Sequence, residues 1–355
     1  MPFRFDTAVC IGRFQLLHDG QLALIRQALV AAPRVLIILG SAHATRSPRN
    51  PFTWQERADT IRQAVSPEEA SRLQFVPMRD LYDMQRWASA VRAAVAAQGG
   101  EGARIALVGH SKDDSSAYLR EFPGWTLLDP GRQGDIHARA LRARLFGSAS
   151  LPEALASIEP QVPEATLEFL RAWSKLPHYE YLRAEWQAIT SELAKWEGAP
   201  YPPVFVTVDV VLRSADHLLL IRRGRAPGKG RLAVPGGFLE QRETILHSAV
   251  RELEEETMLK ISSSEVQQAL RSARVFDHPD RSQRGRVITH AHYFILEGMQ
   301  LPEVEGADDA AEARWVRIAD LASMEDQFHD DHFHILDTFL HLIDPPEQES
   351  PGVRP

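Results

Sequence analysis

Cys10 is the only cysteine in 355 residues. An intrachain disulfide is thereby excluded, and a chain without disulfide staples fits a reducing compartment. Long apolar runs are lacking too. None approaches the ~18 residues that a membrane-crossing helix needs, so no membrane span is expected. The opening residues lack the pattern of a secretory leader. Positive charge is not in excess: the net charge is −8, which argues against a general nucleic-acid binder. No helix-turn-helix with a basic face is evident, nor an internal repeat or low-complexity segment. These absences together predict a cytoplasmic protein that binds neither nucleic acid nor membrane.

What is present is ordinary in amount and uneven in place. The apolar fraction of 44% and charged fraction of 25% are those of a soluble globular protein, long enough for two domains. Residues 1–190 carry 22 basic against 20 acidic side chains, whereas residues 191–355 carry 18 against 28. The chain divides at Gly198-Ala199-Pro200-Tyr201-Pro202-Pro203, where three prolines suit a short stiff linker. That gives a first domain over 1–197, a linker over 198–203, a second domain over 204–344 and a disordered tail over 345–355.

In the first domain, residues 7–12, 35–41, 74–78, 104–109 and 125–129 read as strands. Residues 21–32, 53–65, 84–98 and 116–122 read as helices, and 163–197 reads as wholly helical. The alternation predicts an α/β fold with a parallel sheet. In the second domain, 204–213, 217–223, 287–296 and 313–316 read as strands and 333–343 as a closing helix.

Gly237-Phe238-Leu239-Glu240-Gln241-Arg242-Glu243 runs on to Arg251-Glu252-Leu253-Glu254-Glu255-Glu256-Thr257-Met258-Leu259. Residues 244–257 contain no glycine or proline and favour a helix. On it Glu252, Glu255 and Glu256 stand at i, i+3 and i+4 and share a face. Leu246, Val250, Leu253 and Thr257 form a neighbouring stripe that would anchor the helix in a core. Three carboxylates on one face repel unless a cation neutralises them, and hard divalent ions take oxygen ligands. Glu254 points away and is expected to be solvated. Pro235-Gly236-Gly237 suits a tight loop where backbone approaches a ligand.

This run resembles the Nudix box, with Met258 in place of its final glycine. The resemblance implies hydrolysis of a nucleoside diphosphate linked to another group. Glu252, Glu255 and Glu256 would hold Mg²⁺ or Mn²⁺, and Arg251 would orient them. Met258 predicts an altered turn with the metal site intact.

The first domain opens with Gly12-Arg13-Phe14-Gln15-Leu16-Leu17-His18-Asp19-Gly20-Gln21, between a strand and a helix whose N-terminus is an anion site. It resembles the nucleotidyltransferase signature Gly-x-Phe-x-Pro-x-His-x-Gly-His, in the form found in nicotinamide mononucleotide adenylyltransferases. Gly12, Phe14, His18 and Gly20 match. Leu16 replaces the proline, and Gln21 replaces a histidine that the family uses against triphosphate charge. Gly109-His110-Ser111-Lys112-Asp113-Asp114-Ser115-Ser116 and Arg46-Ser47-Pro48-Arg49-Asn50-Pro51-Phe52 resemble two further motifs of that family, which makes Lys112 a phosphate contact. His137-Ala138-Arg139-Ala140-Leu141-Arg142 stands where the family has Ser-x-Thr-x-x-Arg. Arg142 keeps the phosphate-gripping arginine, and both hydroxyls are gone. Trp87 lies on a helical pattern with Ala90, Val91 and Ala94, so core packing is its default. The resemblance also makes it a platform for a nicotinamide ring.

In this order the two motifs resemble the bacterial bifunctional nicotinamide mononucleotide adenylyltransferase/ADP-ribose pyrophosphatases. The likeness implies a Rossmann-like parallel-sheet domain followed by an α/β Nudix domain with a mixed sheet. The second domain would hydrolyse ADP-ribose to AMP and ribose 5-phosphate. The first would form NAD from nicotinamide mononucleotide and ATP, slowed by its two motif departures. Arg281, Arg284 and Arg286 form a loop suited to a diphosphate. Asp308, Asp309 and Glu312 stand where related domains place another acid, a base or metal ligand. Two other readings stay open: an ADP-ribose or NAD sensor, which the full carboxylate set disfavours, and a hydrolase of another dinucleotide. A homo-oligomer also stays open.

Overall fold

Five apolar runs pair side by side, all in parallel. The computed structural model describes residues 3–99, 102–110, 118–131, 136–298 and 300–343. Lys112 and its neighbours 111–117 lie outside the described residues, as does the expected tail over 345–355. The chain forms two compact units, Met1–Gln187 and Ala188–Pro355.

Unit 1 begins with β1 (Thr7–Gly12), α1 (Asp19–Ala31), β2 (Arg34–Leu39), α2 (Trp54–Gln63), α3 (Pro67–Ser71), β3 (Leu73–Pro77) and α4 (Met84–Gly99). It continues through β4 (Ile105–Val108), β5 (Thr126–Leu128), α5 (Ala138–Gly147), α6 (Leu151–Ile158), α7 (Glu164–Trp173) and the first part of α8 (Pro177–Ala194). The strand order is β3-β2-β1-β4-β5. Register aligns Cys10 with Ile37 on one side and Val108 on the other. Parallel strands need helical crossovers, which cover both faces and leave the central strands β1, β2 and β4 largely apolar and buried, while the edge strands β3 and β5 are more exposed. Alternate residues accordingly serve different cores. Ala8, Cys10, Val35 and Ile37 belong to one, and Val9, Leu36, Ile38 and Leu107 to the other. The chain reverses its winding between β1 and β4, and in such sheets a crevice opens there beyond the strand ends. The segments leaving β1 and β4 open the Gly12 and Gly109 motifs. Helices α5 to α8 form a third apolar cluster that takes in Leu16 and Phe52.

The helical reading of 163–197 resolves into α7 and α8, separated at Ser174–Leu176. The helix expected over 116–122 is replaced, in its described part, by a single 3-10 turn at residues 118–120. The Pro-rich segment 198–203 carries neither helix nor strand.

Unit 2 contains β6 (Val204–Ser214), β7 (His217–Arg223), β8 (Leu232–Ala233), β9 (Gly236–Phe238), α9 (Ile245–Thr257), α10 (Ser263–Gln268), β10 (Leu270–Phe276), β11 (Arg286–Leu296), β12 (Ala310–Arg317), α11 (Ile318–Leu321) and α12 (His332–Leu340). The sheet is mixed, in the order β10-β11-β6-β7-β12, with β8 on β7 and β9 on β6. Only β6 and β11 run parallel. Val208, Val210 and Leu219 pack with Leu253 of α9, while Val211, Leu218 and Leu220 pack with Leu336 of α12. The sheet is therefore sandwiched between these helices. Strands β8, β9 and β10 escape sequence reading. The first two are only two or three residues long, and β10 is exposed along most of its length.

Candidate active sites

Helix α9 starts at Thr244, whose hydroxyl accepts from His247 N at 3.3 Å. It ends at Met258, which has φ 47° and is half exposed. The expected altered turn is not seen. Methionine adopts the left-handed cap that a glycine would take, at a cost of about 1 kcal/mol or more. Ala249, Val250 and Leu253 bury one face of the helix. The carboxylates of the other meet β9. A Cβ on Gly237 would stand 2.4 Å from Glu252 Oε1, and one on Gly236 would stand 2.2 Å from the Val208 carbonyl. Only backbone fits there, and Gly236 N donates to Glu256 Oε2 at 2.9 Å.

Arg251 gathers the remaining acids. Its guanidinium lies 2.8 Å from Glu243, 3.0 Å from Glu252 and 2.7 Å from Glu255. Glu252 and Glu256 are buried, and Glu255 is open to solvent. Burial pushes Glu252 up against the opposing pull of Arg251. Burial also pushes Glu256 up to about 8, with Gly236 N pulling the other way and Glu252 adding to the rise. Among the described residues no three such groups already converge as a closed metal cage. The donors are all carboxylate oxygens, and two are costly to charge without a cation, so the set fits a hard divalent ion. Glu254 corrects the sequence reading: it is half-buried and accepts from Ser263 Oγ at 2.5 Å.

The loop after α10 and β10 sorts its arginines. Arg281 is buried and paired with Asp331 at 2.9 Å, with Asp209 at 3.7 Å. It is committed to an internal network in which Thr289 donates to Asp209 at 2.7 Å, so it is not a free grip for a diphosphate. Arg286 donates to the Asp277 carbonyl across the loop. Arg284 lies over the Phe238 ring at 5.1 Å, and its Nε is buried without a hydrogen-bond partner among the described residues. Burial and the nearby Arg223 depress the Arg284 pKa.

The second acid cluster sorts as well. Backbone N–H groups of Glu305 and Ala307 close the last carbonyls of α9 and so deliver Asp308 to the Glu cluster. Asp309 pairs with Arg225 at 2.5 Å, and Glu312 pairs with Arg222 at 3.0 Å. Asp308 has no ion-pair partner among the described residues, and its charge raises Glu252.

In unit 1 the loop after β1 is held from afar. His18 caps α1, with Nδ1 accepting from Gln21 N at 3.3 Å. Phe14 and Leu16 have φ of 48° and 83°. A proline cannot adopt the second value, so the loop is not the one its family residue would allow. Gln15 exchanges two 3.0 Å bonds with the Phe52 backbone. Thr166 Oγ1 donates to the Leu17 carbonyl at 3.0 Å. Arg57 is buried and donates to the carbonyls of Arg13, Gly40 and Ser41. Arg142 is buried too and donates to the Gln15 carbonyl at 2.7 Å. Burial and the charges of Arg13, Arg49 and Arg139 push Arg142 down to about 9. Such a cluster of cations fits a polyanion. Gly12 crowds the Phe14 ring, where a Cβ would stand at 3.0 Å. Gly20 lies in the first turn of α1. The Gln21 amide oxygen is buried without a partner among the described residues.

Trp87 packs edge-on to Tyr118 and Phe122 as part of a core. His110 bonds Asp129 at 2.8 Å. Sequence reading missed Gln15, Arg57 and Thr166, because nothing local marks a side chain whose partner lies far away along the chain.

Comparison with known proteins matches this division. The NUDIX domain family model covers residues 203–339, and the cytidylyltransferase-like model covers residues 9–98. A nicotinamide/nicotinic acid mononucleotide adenylyltransferase of Acinetobacter baylyi is 34% identical over 187 residues, 52% of this chain and 96% of that protein. An ADP-ribose pyrophosphatase of Methanocaldococcus jannaschii is 37% identical over 121 residues, 34% of this chain and 65% of that protein. A crystal structure of a bifunctional NMN adenylyltransferase/ADP ribose pyrophosphatase from Francisella tularensis, complexed with AMP and a manganese ion, superposes with a TM-score of 0.86. It is 33% identical, over 95% of this chain and 99% of that one. At that identity and coverage, the chain belongs to the family of bifunctional NMN adenylyltransferase/ADP-ribose pyrophosphatases.

Proposed function

We propose that unit 2 hydrolyses ADP-ribose to AMP and ribose 5-phosphate, and that unit 1 joins nicotinamide mononucleotide to the adenylyl group of ATP. The observation that carries the first reading is the Glu cluster closed against the Gly236-Gly237 backbone and tied by Arg251. Glu252, Glu255 and Glu256 would hold Mg²⁺ or Mn²⁺. The ion, when bound, neutralises diphosphate charge and lowers the barrier to attack by water. Arg251 sets the spacing of the carboxylates. Asp308, the acid without a cation partner, takes the proton of the attacking water. Oxygen then bonds to one phosphorus as the bridging P–O bond breaks. Arg284 meets the diphosphate, while Arg281 and Arg286 hold the loop that presents it.

In unit 1 the N-terminus of α1, His18 and the cations around Arg142 receive the triphosphate, and Trp87 borders the nicotinamide. The sensor reading is disfavoured by the match of both units to enzymes. A cytoplasmic setting, where these nucleotides occur, agrees with the lone buried Cys10.

Two assays test the pair of activities separately. One follows AMP release from a panel of dinucleotides with Mg²⁺ or Mn²⁺, and ADP-ribose is expected to lead it. The other follows NAD formation by the native chain and by Gln21→His. The native chain is expected to be active, and the histidine variant about tenfold faster. That gain is less than the ~10²–10³ attached to a whole lost donor, since glutamine keeps an amide donor. No NAD formation from either protein would remove the second activity.

A further inference from the structure

The face of the unit 2 sheet that carries α12 holds a second opening. Arg213 of β6 pairs in register with Leu218 of β7, and Tyr293 of β11 pairs with Val211 of β6. Residues directly opposed across strands share a face. Leu218 and Val211 belong to the core under α12, so Arg213 and Tyr293 stand on that side. Val208 and Val210 belong to the core under α9, the helix of the Glu cluster. Arg213 and Tyr293 line a cavity of about 320 Å³, walled further by Ile318 and Ala319 of α11 and by Phe339 and Leu340 of α12. The cavity lies at the hairpin end of β6, whereas β9 pairs with Thr207–Asp209 nearer its start.

The polar groups of this cavity are unequally satisfied. Arg213 is half-buried, and its Nε donates to the Ala215 carbonyl at 2.8 Å, which fixes the guanidinium across the hairpin. Its two terminal nitrogens have no partner among the described residues. The Tyr293 hydroxyl has none there either, and its ring lies 5.5 Å from that of Phe339 at an angle of 31°. Asp216, the acid on the same wall, is 77% exposed and stands 2.7 Å from His217 Nδ1. Its charge faces water, where it is screened.

We propose that this cavity binds a small aromatic carboxylate, with the ring against Ile318, Phe339 and Leu340 and the carboxylate on the terminal nitrogens of Arg213. The site is independent of the nucleotide chemistry of either unit. A guanidinium held by its Nε still presents a planar pair of donors, the arrangement that meets both oxygens of a carboxylate. The Tyr293 hydroxyl adds a further donor beside it. Cavities that take small molecules are mostly apolar, carry a few fixed polar groups and run from about 300 to 1,000 Å³. At the lower end of that range this one suits a single ring and is too small for a dinucleotide. An inorganic anion would leave the apolar wall wet. An uncharged apolar molecule would leave the Arg213 donors unanswered.

The test titrates the full chain with benzoate, acetate and benzamide, followed by ligand NMR. Benzoate should bind with a Kd of about 1 mM or tighter. Acetate, which lacks the ring, and benzamide, which lacks the charge, should each bind at least about tenfold more weakly. Arg213→Gln should raise the benzoate Kd about tenfold and leave that of benzamide unchanged. Ala319→Trp, which fills the mouth from α11 without removing a core contact, should abolish benzoate binding. Turnover of ADP-ribose should stay native in both variants, and saturating AMP should leave the benzoate Kd unchanged. Displacement of benzoate by AMP would place it in a nucleotide site and overturn the proposal. Native benzoate affinity in Ala319→Trp would overturn it as well. Acetate binding as tightly as benzoate would reduce the site to a bare cation, and benzamide binding as tightly would reduce it to an apolar cleft; either result overturns the assigned ligand class. Where a lowered melting temperature shows that Arg213→Gln has loosened the hairpin, Ala319→Trp alone decides.

Discussion

Unit 2 assembles its carboxylate cluster from one short stretch. Gly236 to Met258 supplies the backbone seat, the carboxylates and the arginine that spaces them, and Asp308 comes from the loop that caps the same helix. Unit 1 assembles its site from four separate places. The loop after β1 is held by Gln15 on Phe52, by Arg57 from α2, by Arg142 from α5 and by Thr166 from α7. A contiguous site depends on its motif, because helical geometry alone sets its spacing. A distributed site tolerates a changed motif, because distant side chains impose the loop's shape. Leu16 and Met258 show the two cases. Both occupy motif positions with the wrong residue and a positive φ. In unit 2 the family residue would still suit the backbone, whereas in unit 1 it would not.

The largest expected effect tests the contiguous site. Glu256→Gln should lower kcat for ADP-ribose hydrolysis by about 10² or more, since the metal carries the charge stabilisation. Circular dichroism should be unchanged and NAD formation retained. Near-native hydrolysis at limiting Mg²⁺ would end the metal assignment.

Arg57→Ala tests the distributed site. It strands three carbonyls in the interior, so a loss on the order of 3 kcal/mol is expected together with loss of NAD formation. Urea denaturation followed by a unit 1 tryptophan measures it, and a variant as stable as the native chain would show that water replaces the guanidinium.

Leu16→Pro restores a family residue and should still do harm, at least about 1 kcal/mol, because proline cannot reach φ 83°. An unchanged melting temperature would show that the loop is free to adopt the family's shape.

Met258→Gly restores the other family residue and should stabilise unit 2 by about 1 kcal/mol, with hydrolysis unchanged. Lower stability in thermal melts would contradict the left-handed cap.

A last effect is a pH dependence. Folding raises Glu256 from 4.5 to about 8, so the folded chain holds a proton that the unfolded chain releases. The contribution is fully present below the lower value and is lost as pH rises toward the upper one. In metal-free buffer the melting temperature of Glu256→Gln should therefore gain on the native chain as pH rises from about 5 to about 8. A constant difference over that range would mean that Glu256 is ionised throughout.

Much of the fold was legible because strands β1, β2 and β4 are mostly apolar runs, β6 is rich in valine, and α9 has a clean amphipathic period. The Glu cluster was legible because residues three and four apart on a helix are neighbours whatever the surroundings. The exposed β10 was invisible, since its pattern marks no buried face. Arg281 was misread because an arginine near two others looks like a basic loop, and only the fold brings Asp331 and Asp209 to it.

The sequence by itself determined the order of the two units, the parallel sheet of unit 1 and the carboxylate face of α9. These follow from motif order, strand–helix alternation and fixed helical spacing, whereas the mixed sheet of unit 2 was implied only by the family resemblance. Only the tertiary structure decided which arginine remains available at unit 2, which of Asp308, Asp309 and Glu312 is left without a cation, and which distant side chains shape the loop of unit 1. Each of those turns on what a charged or polar group finds as its partner once buried, and a partner far along the chain leaves no trace in local pattern.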